Sequence, residues 1–318
     1  MRIQARRVIT AALVLWCCYA PLSYGQVNVT TYHNDNSRTG QNLQETILTP
    51  SNVNSTQFGK LFSVATDGYV YAQPLYLAGV SIGGGTYNVT YVATEHDSLY
   101  AIDADSGNVF WHASLLPIGG TTVSPTDLSK CQDIVPEVGI TGTPVIDSTT
   151  GTIYLVAKSK VGGKIVQYLH AIDVVTSAEK FGGPVLIQGS VPGTTADSVN
   201  GVITFDPILH NQRTALLLEN GHVVIAWASH CDVVPWHGWV MSYSASTLAQ
   251  EAIYNNTTAP VANGDQNGCG GVWMANGSMT ADANGNMYFA SGNGGWNGTS
   301  DLSDSIIKIG PPSSGTFP

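Results

Sequence analysis

The residues best suited to chemistry gather in a few short polar stretches. In SHCDVVPWHGW, His230, Cys231, Asp232 and His237 supply the imidazole, thiol and carboxylate groups that bind transition metals. Such a site draws its ligands from fixed elements at short regular intervals. No second matching pair is evident in the sequence, so no metal site is assigned and the segment reads as a long ordered loop. Glu137, in PEVGITGTP, leads into a strand-like run and is the best single candidate for a carboxylate facing a cofactor. No nucleophile and base stand at a recognisable spacing, which removes the support for a hydrolase. No CxxCH haem-attachment site is present.

Elements that would position these groups are short strands. The stretch YVATEHDSLYAIDADSGNVFW, Tyr91 to Trp111, reads as two alternating apolar runs joined by Glu95-His96-Asp97-Ser98 and closed by the turn formers Asp105-Ser106-Gly107. The small residue ending its first run recurs at Ala93, Ala157, Ala228 and Ala290, a spacing of about 60–70 residues. The second runs align as well, on Ala101, Ala171 and Ser242. A period this long suits four strands with loops better than a β-solenoid coil. The expected fold is therefore an all-β propeller of four-stranded antiparallel blades. Blades are expected at residues 72–114, 141–187, 214–254 and 277–318, the last without its outer strand, so that about three and a half blades form an incomplete ring. Residues 26–57 form a polar N-terminal segment, and Phe58 to Ala65 is the candidate strand for closing the last blade against an open edge.

The loops joining second to third strands emerge on one face of a propeller. Glu95, His96, Asp97, Lys158, Lys160, His230, Asp232 and Asn293 are expected there, as a solvated rim where a protein or carbohydrate ligand would bind.

Only 11% of residues are charged and the net charge is −10, so a phosphate backbone finds little to attract it and nucleic acid is excluded as a partner. A hydrophobic content of 43% and 35 glycines fit a substantial β core and argue against disorder. Arg2, Arg6 and Arg7, the apolar run Val8 to Ala20 and the small residues at Ser23 and Gly25 read as a secretory signal over residues 1–25. No membrane span is expected after its cleavage, and the chain is expected to be secreted or periplasmic. Cys131, Cys231 and Cys269 then remain in an oxidising compartment, all on the same face by the blade topology.

The run Ala101-x-Asp103-x-x-x-Gly107-x-x-x-Trp111 resembles the tryptophan-docking repeat of the pyrroloquinoline-quinone (PQQ) type propellers, and the second copy keeps Ala171 and Asp173 but has Ser177 and Phe181 for glycine and tryptophan. The segments HNDNSRTGQN, YAQPLY, PEVGITGTPVID, SHCDVVPWHGW and DSIIKIG resemble secreted bacterial PQQ-like repeat proteins. The resemblance implies packing roles for these repeat residues. For the enzymes of the family it implies PQQ, a Ca2+ ion held by oxygen ligands and an aspartate base, and for others a scaffold. It favours a Cys131–Cys231 disulfide, both residues lying in family-like segments, with Cys231–Cys269 as the alternative. No cofactor is assigned from the residues themselves. Two functions follow: an exported non-catalytic propeller that binds or scaffolds through its loop-rich face, or a fragment of a PQQ- and calcium-dependent quinoprotein oxidoreductase whose catalytic ligands are expected partly in further blades.

Overall fold

The computed structural model describes residues 27–128, 131–260, 268–274 and 277–318. The expected signal segment lies outside them. The first sheet is β1 (Leu75–Ile82), β2 (Gly85–Ala93), β3 (Ser98–Asp103) and β4 (Val109–Ser114), joined antiparallel in that order. The second blade combines β5 (Thr121–Thr122), β6 (Val145–Asp147), β7 (Thr152–Val161), β8 (Lys164–Asp173) and β9 (Val185–Leu186). A small hairpin, β10 (Ser190–Pro192) and β11 (Val202–Thr204), precedes the third, which holds β12 (His210–Asn211), β13 (Leu217–Glu219), β14 (His222–Ser229), β15 (Trp239–Ser244) and β16 (Gln250–Asn255). The fourth sheet has three strands among the described residues, β17 (Thr280–Ala281), β18 (Met287–Ala290) and β19 (Ile306–Ile309). This is the expected all-β propeller with an incomplete ring.

Alternation along each strand builds the stack. Successive side chains point to opposite faces, so a strand between two blades is apolar at every position while serving two interfaces. In β14, Val223, Ile225 and Trp227 pack toward the second blade with Tyr154, Val156 and Leu169. The intervening Val224 and Ala226 pack toward the fourth sheet with Met279, Met287 and Phe289. Between the first and second blades, Leu75, Tyr91 and Leu99 meet Ile146, Ile153 and Leu155.

Two repeated devices lock this packing. Tyr91, opposite Ala101 in the ladder, donates its hydroxyl to the Val174 carbonyl of the next blade at 3.0 Å, and Tyr154, opposite Ala171, donates to Ala245 at 2.7 Å. The third copy has Val224 at the matching register, opposite Ser242, and a valine has no hydroxyl to donate. The second device is a turn in which the residue four on from the last strand position donates back to it. Gly107 does so to Asp103, Ser177 to Asp173 and Leu248 to Ser244, at 2.8, 3.0 and 2.9 Å. All three take positive φ (79°, 60° and 59°), which is why the motif favours glycine and why Ser177 and Leu248 carry a backbone cost. Asp103 and Asp173 close these turns by accepting from the backbone amides of Asp105, Val175 and Thr176. Trp111 packs against Tyr91 with centroids 6.0 Å apart at the interface of the first two blades. Phe181 does not copy that placement: it is 36% exposed, with Lys180 over its ring.

The polar segment before the first blade has no strand period, yet it runs along the first strands of all four sheets. Val29 and Tyr76 exchange backbone hydrogen bonds on the open edge of β1, and Ile146 in β6 donates to Thr30. Asn36 donates to the Leu218 carbonyl of β13 and its own carbonyl accepts from Ala281 in β17. Arg38 joins the segment to the last two blades: its guanidinium donates to Leu216, Met279 and Ser278, and also to Thr31, Tyr32 and Asp35 of its own segment. Burial pulls its pKa down to about 10, against the neighbouring Asp35, so it stays charged at neutral pH.

Phe58–Ala65 departs from the expectation. It pairs with no strand among the described residues; instead Phe62 lies on the Gly107 turn and Val64 packs with Val92, Tyr100 and Ile102 on the face of the first blade turned away from the second. The outer edge of β19, which this segment was expected to cover, has no partner strand among the described residues.

Truncating Arg38 leaves the Leu216 and Met279 carbonyls without their donor. Arg38→Ala is expected to cost about 3–5 kcal/mol in urea unfolding, because buried acceptors lose a charged partner. A cost below about 1 kcal/mol, typical of an exposed ion, would contradict this role.

Candidate functional site

Half of the groups expected on a solvated rim, Glu95, Asp97, Lys158 and His230, are interior. Glu95 and Asp97, in the β2–β3 connection, are buried. Glu95 Oε2 accepts from the Gly139 amide at 2.8 Å and the Thr141 hydroxyl at 3.1 Å, and Asp97 Oδ2 accepts from Ser159 at 2.8 Å. A Cβ at Gly139 would run into the Glu95 carbonyl and Asp97 Oδ1, so a glycine there lets the loop before β6 close onto the first blade. Glu95 Oε1 and Asp97 Oδ1 are buried without a hydrogen-bond partner. Burial pushes the Glu95 carboxyl up to about 7 against those two donors, and Asp97 well above its ordinary range against Ser159.

Lys158 and Lys160 are not in a connection. The β7–β8 ladder runs unbroken from Thr152↔Asp173 to Val161↔Lys164, and Gly162-Gly163 take the turn at φ 56° and 78°, so the hairpin projects past the level where the other blades turn. Lys158 is thereby a buried strand residue whose ammonium donates to the Ile208 and His210 carbonyls at 3.4 Å. Burial lowers its pKa to about 7, opposed by Asp133, Asp206 and Glu95. Lys160 pairs with Asp127 at 2.5 Å. Asn293 and Asp232 are the exposed members of the set; Asp232 accepts from Ser229 at 3.0 Å.

His230 is buried, and its Nδ1 meets the Asp133 carboxylate at 2.9 Å. Burial, reinforced by Lys158, depresses His230 to about 4, so at neutral pH a neutral ring donates Nδ1–H to Asp133 and the contact is a hydrogen bond rather than an ion pair. The Cys131–Cys231 disulfide is formed, with Cα atoms 5.6 Å apart across 100 residues of chain. It places Cys131-x-Asp133 beside His230-Cys231, the second ligand-type pair that the sequence of SHCDVVPWHGW does not reveal. His237 is committed elsewhere, its Nε2 to Asp197 at 3.1 Å and its Nδ1 to Thr257.

The open part of this face is a cleft of about 390 Å³ lined by Thr66, Asp67, Gly68, Tyr69, Pro136 and Glu137. Glu137 accepts from Thr122 at 2.7 Å and contacts His96 Nδ1 at 3.0 Å, so the two sequence candidates Glu137 and His96 do meet. Asp67, which no pattern in the sequence marks, accepts from Ser98 and Thr94 at 2.6 and 3.1 Å; burial opposes these bonds, yet they hold its pKa below the ordinary value. Tyr69 is 60% exposed at the mouth.

The chain matches no protein-family model, and no curated protein is similar to it in sequence. Among solved structures, the quinohemoprotein alcohol dehydrogenase of Comamonas testosteroni is similar at 17% identity and a TM-score of 0.56, over 92% of this chain and 40% of that one. A quinohemoprotein alcohol dehydrogenase of Pseudomonas putida is similar at 18% identity and a TM-score of 0.50, over 80% of this chain and 34% of that one. At these identities the likeness shows the fold, that of the PQQ-type propellers, and this chain spans well under half the length of either enzyme.

The buried carboxyl of Glu95 has a measurable consequence. The folded protein holds its proton up to about 7 while the unfolded chain releases it near 4.5, so the folded state binds more protons in between and loses stability as pH rises through that window. Lys158 acts in the opposite sense above about 7, where the folded state sheds its charge first and the penalty fades as pH rises toward 10.5. Glu95→Gln is expected to flatten the fall between 4.5 and 7 and to raise stability near pH 8 by about 1–3 kcal/mol. Urea unfolding across pH checks this; an unchanged slope in the variant would contradict it.

Proposed function

We propose that this chain is an exported, non-catalytic β-propeller module that binds a neutral carbohydrate in the Tyr69–Glu137 cleft. The observation that carries this reading is the lining itself. An exposed tyrosine ring offers an apolar platform with a polar tip, and Asp67 and Glu137 offer acceptors, an arrangement suited to stacking a sugar ring and receiving its hydroxyls. Acidic walls on a chain of net charge −10 select against anionic ligands. The disulfide fits an oxidising compartment. The buried groups of the expected rim, Glu95, Asp97, Lys158 and His230, are bonded to neighbouring loops and strands, and in this reading they join blades rather than contact a ligand.

The oxidoreductase alternative requires a tricarboxylate quinone and a calcium ion, and the residues described do not fit them. A tricarboxylate entering the cleft meets Asp67 and Glu137. Of the nearby cations, Lys158 is enclosed and bonded to two carbonyls, which leaves Arg213, whose charge acts on Glu95 and His230. The orphaned oxygens of Glu95 and Asp97 are the natural calcium donors, but burial raises the pKa of both carboxyls, that of Glu95 to about 7, which disfavours the ionised oxygens that calcium calls for.

Calorimetric titration of the purified chain with a panel of neutral oligosaccharides, and separately with PQQ plus Ca2+, discriminates the readings. Saturable oligosaccharide binding weakened about tenfold or more by Tyr69→Ala is expected. Binding of PQQ with Ca2+ that Glu137→Ala abolishes, with no oligosaccharide bound, would overturn the reading in favour of the oxidoreductase.

A further inference from the structure

The disulfide corner holds more ligand-type chemistry than a crosslink uses. Cys131 Sγ, a carboxylate oxygen of Asp133 and a ring nitrogen of His230 all lie within 4.8 Å of one another, and Cys231 is bonded to Cys131. His230 Nδ1 faces the Asp133 carboxylate at 2.9 Å and Nε2 has no hydrogen-bond partner, so with the ring proton moved to Nε2 the imidazole offers Nδ1 to an ion beside Asp133. Two sulfurs, an imidazole and a carboxylate are the donor set of a four-coordinate zinc site, which tolerates nitrogen, sulfur and oxygen ligands at bond lengths of about 2.0–2.3 Å. With the disulfide closed the sulfurs are not thiolates and bind zinc poorly. With it open, the same corner presents two thiolates.

We propose that reduction of Cys131–Cys231 by a dithiol converts this corner into a zinc site with Cys131, Cys231, His230 and Asp133 as ligands. In the first step the S–S bond takes two electrons and two protons from the dithiol, which closes to its own disulfide. In the second, Zn2+ binds both sulfurs and their two protons pass to solvent. Cys231 and Asp133 are exposed to reductant and metal, whereas Cys131 and His230 are buried, so the site has both an entry side and a rigid back wall. Two thiolates and a carboxylate outweigh the nearby positive charges of Lys158 and Arg213, which act on the same histidine. The four ligands lie on two segments, the β5–β6 connection of the second blade and the β14–β15 connection of the third, so metal would replace the disulfide as the tie between blades two and three. The inference is independent of the cleft and of its ligand.

The test uses the full chain, reduced with a dithiol and desalted without oxygen, with Co2+ as a spectroscopic stand-in for zinc. One Co2+ per chain is expected, with a thiolate-to-cobalt charge-transfer band that Zn2+ displaces and that the oxidised chain lacks. His230→Ala and Asp133→Asn should weaken binding about 10–100-fold, as losses at a metal site do, while Cys269→Ser should leave the band intact. Near-ultraviolet circular dichroism of the buried Trp227 and Trp239 reports whether the reduced chain stays folded. Absence of the band, its persistence in both variants, its loss in Cys269→Ser, or binding only after the tryptophan signal has collapsed would each overturn the proposal.

Discussion

The guanidinium of Arg38 ties the last two sheets of this propeller to its polar N-terminal segment. Arg38 reaches the carbonyls of Leu216 and Met279 and the hydroxyl of Ser278, groups immediately ahead of β13 in the third sheet and β17 in the fourth. Short inner strands such as β6, β13 and β17 have only two or three residues in their ladders, so their backbone groups need partners from elsewhere. The segment from Val29 to Arg38 supplies them, touching each of the four sheets in turn. The arrangement is held against local preference: Arg38 itself sits at φ 59°, in the left-handed region that costs a non-glycine residue about 1 kcal/mol or more. Charge-assisted bonds to otherwise orphaned acceptors outweigh that cost.

Outward from this axis the blades depend on shared strands. Because β14 divides its side chains between two interfaces, no blade has a core of its own, and each sheet is completed by its neighbours. The tyrosine hydroxyls of Tyr91 and Tyr154 and the three positive-φ turns then fix how far one blade rotates on the next. The interior carboxyls follow from the same geometry. Once Gly139 allows the loop before β6 to close on the first blade, Glu95 and Asp97 are buried and held by an amide and by hydroxyls.

The blades were legible in the sequence because period-two alternation and a recurring turn motif are local signals. So was the pairing of Cys131 with Cys231, through the segments that surround them. What escaped has physical reasons. The N-terminal axis segment has no period, since its contacts are made by backbone groups and by the side chains of Asn36 and Arg38. The tyrosine device is hidden because Tyr91 stands two residues before Ala93 and Tyr154 three before Ala157, so an alignment on the alanines misses a ladder register that is the same in both. Lys158 reads as a loop residue in the sequence because nothing in VAKSKVGGK says where the hairpin turns, which Gly162-Gly163 do at positive φ. Glu95, His96 and Asp97 are adjacent, yet only His96 reaches the cleft with Glu137, because burial of a loop depends on what closes over it.

Native-state hydrogen exchange measured at the amides of Ile146 and Ala281, which donate to Thr30 and Asn36, tests the axial role of the N-terminal segment most directly. The account predicts that they exchange only through global unfolding, with the same opening free energy as core amides of β7 and β14 such as Val156 and Val224. Exchange of Ile146 and Ala281 through a low-energy local opening, while the core amides remain protected, would show that the segment peels away from intact blades and would contradict it.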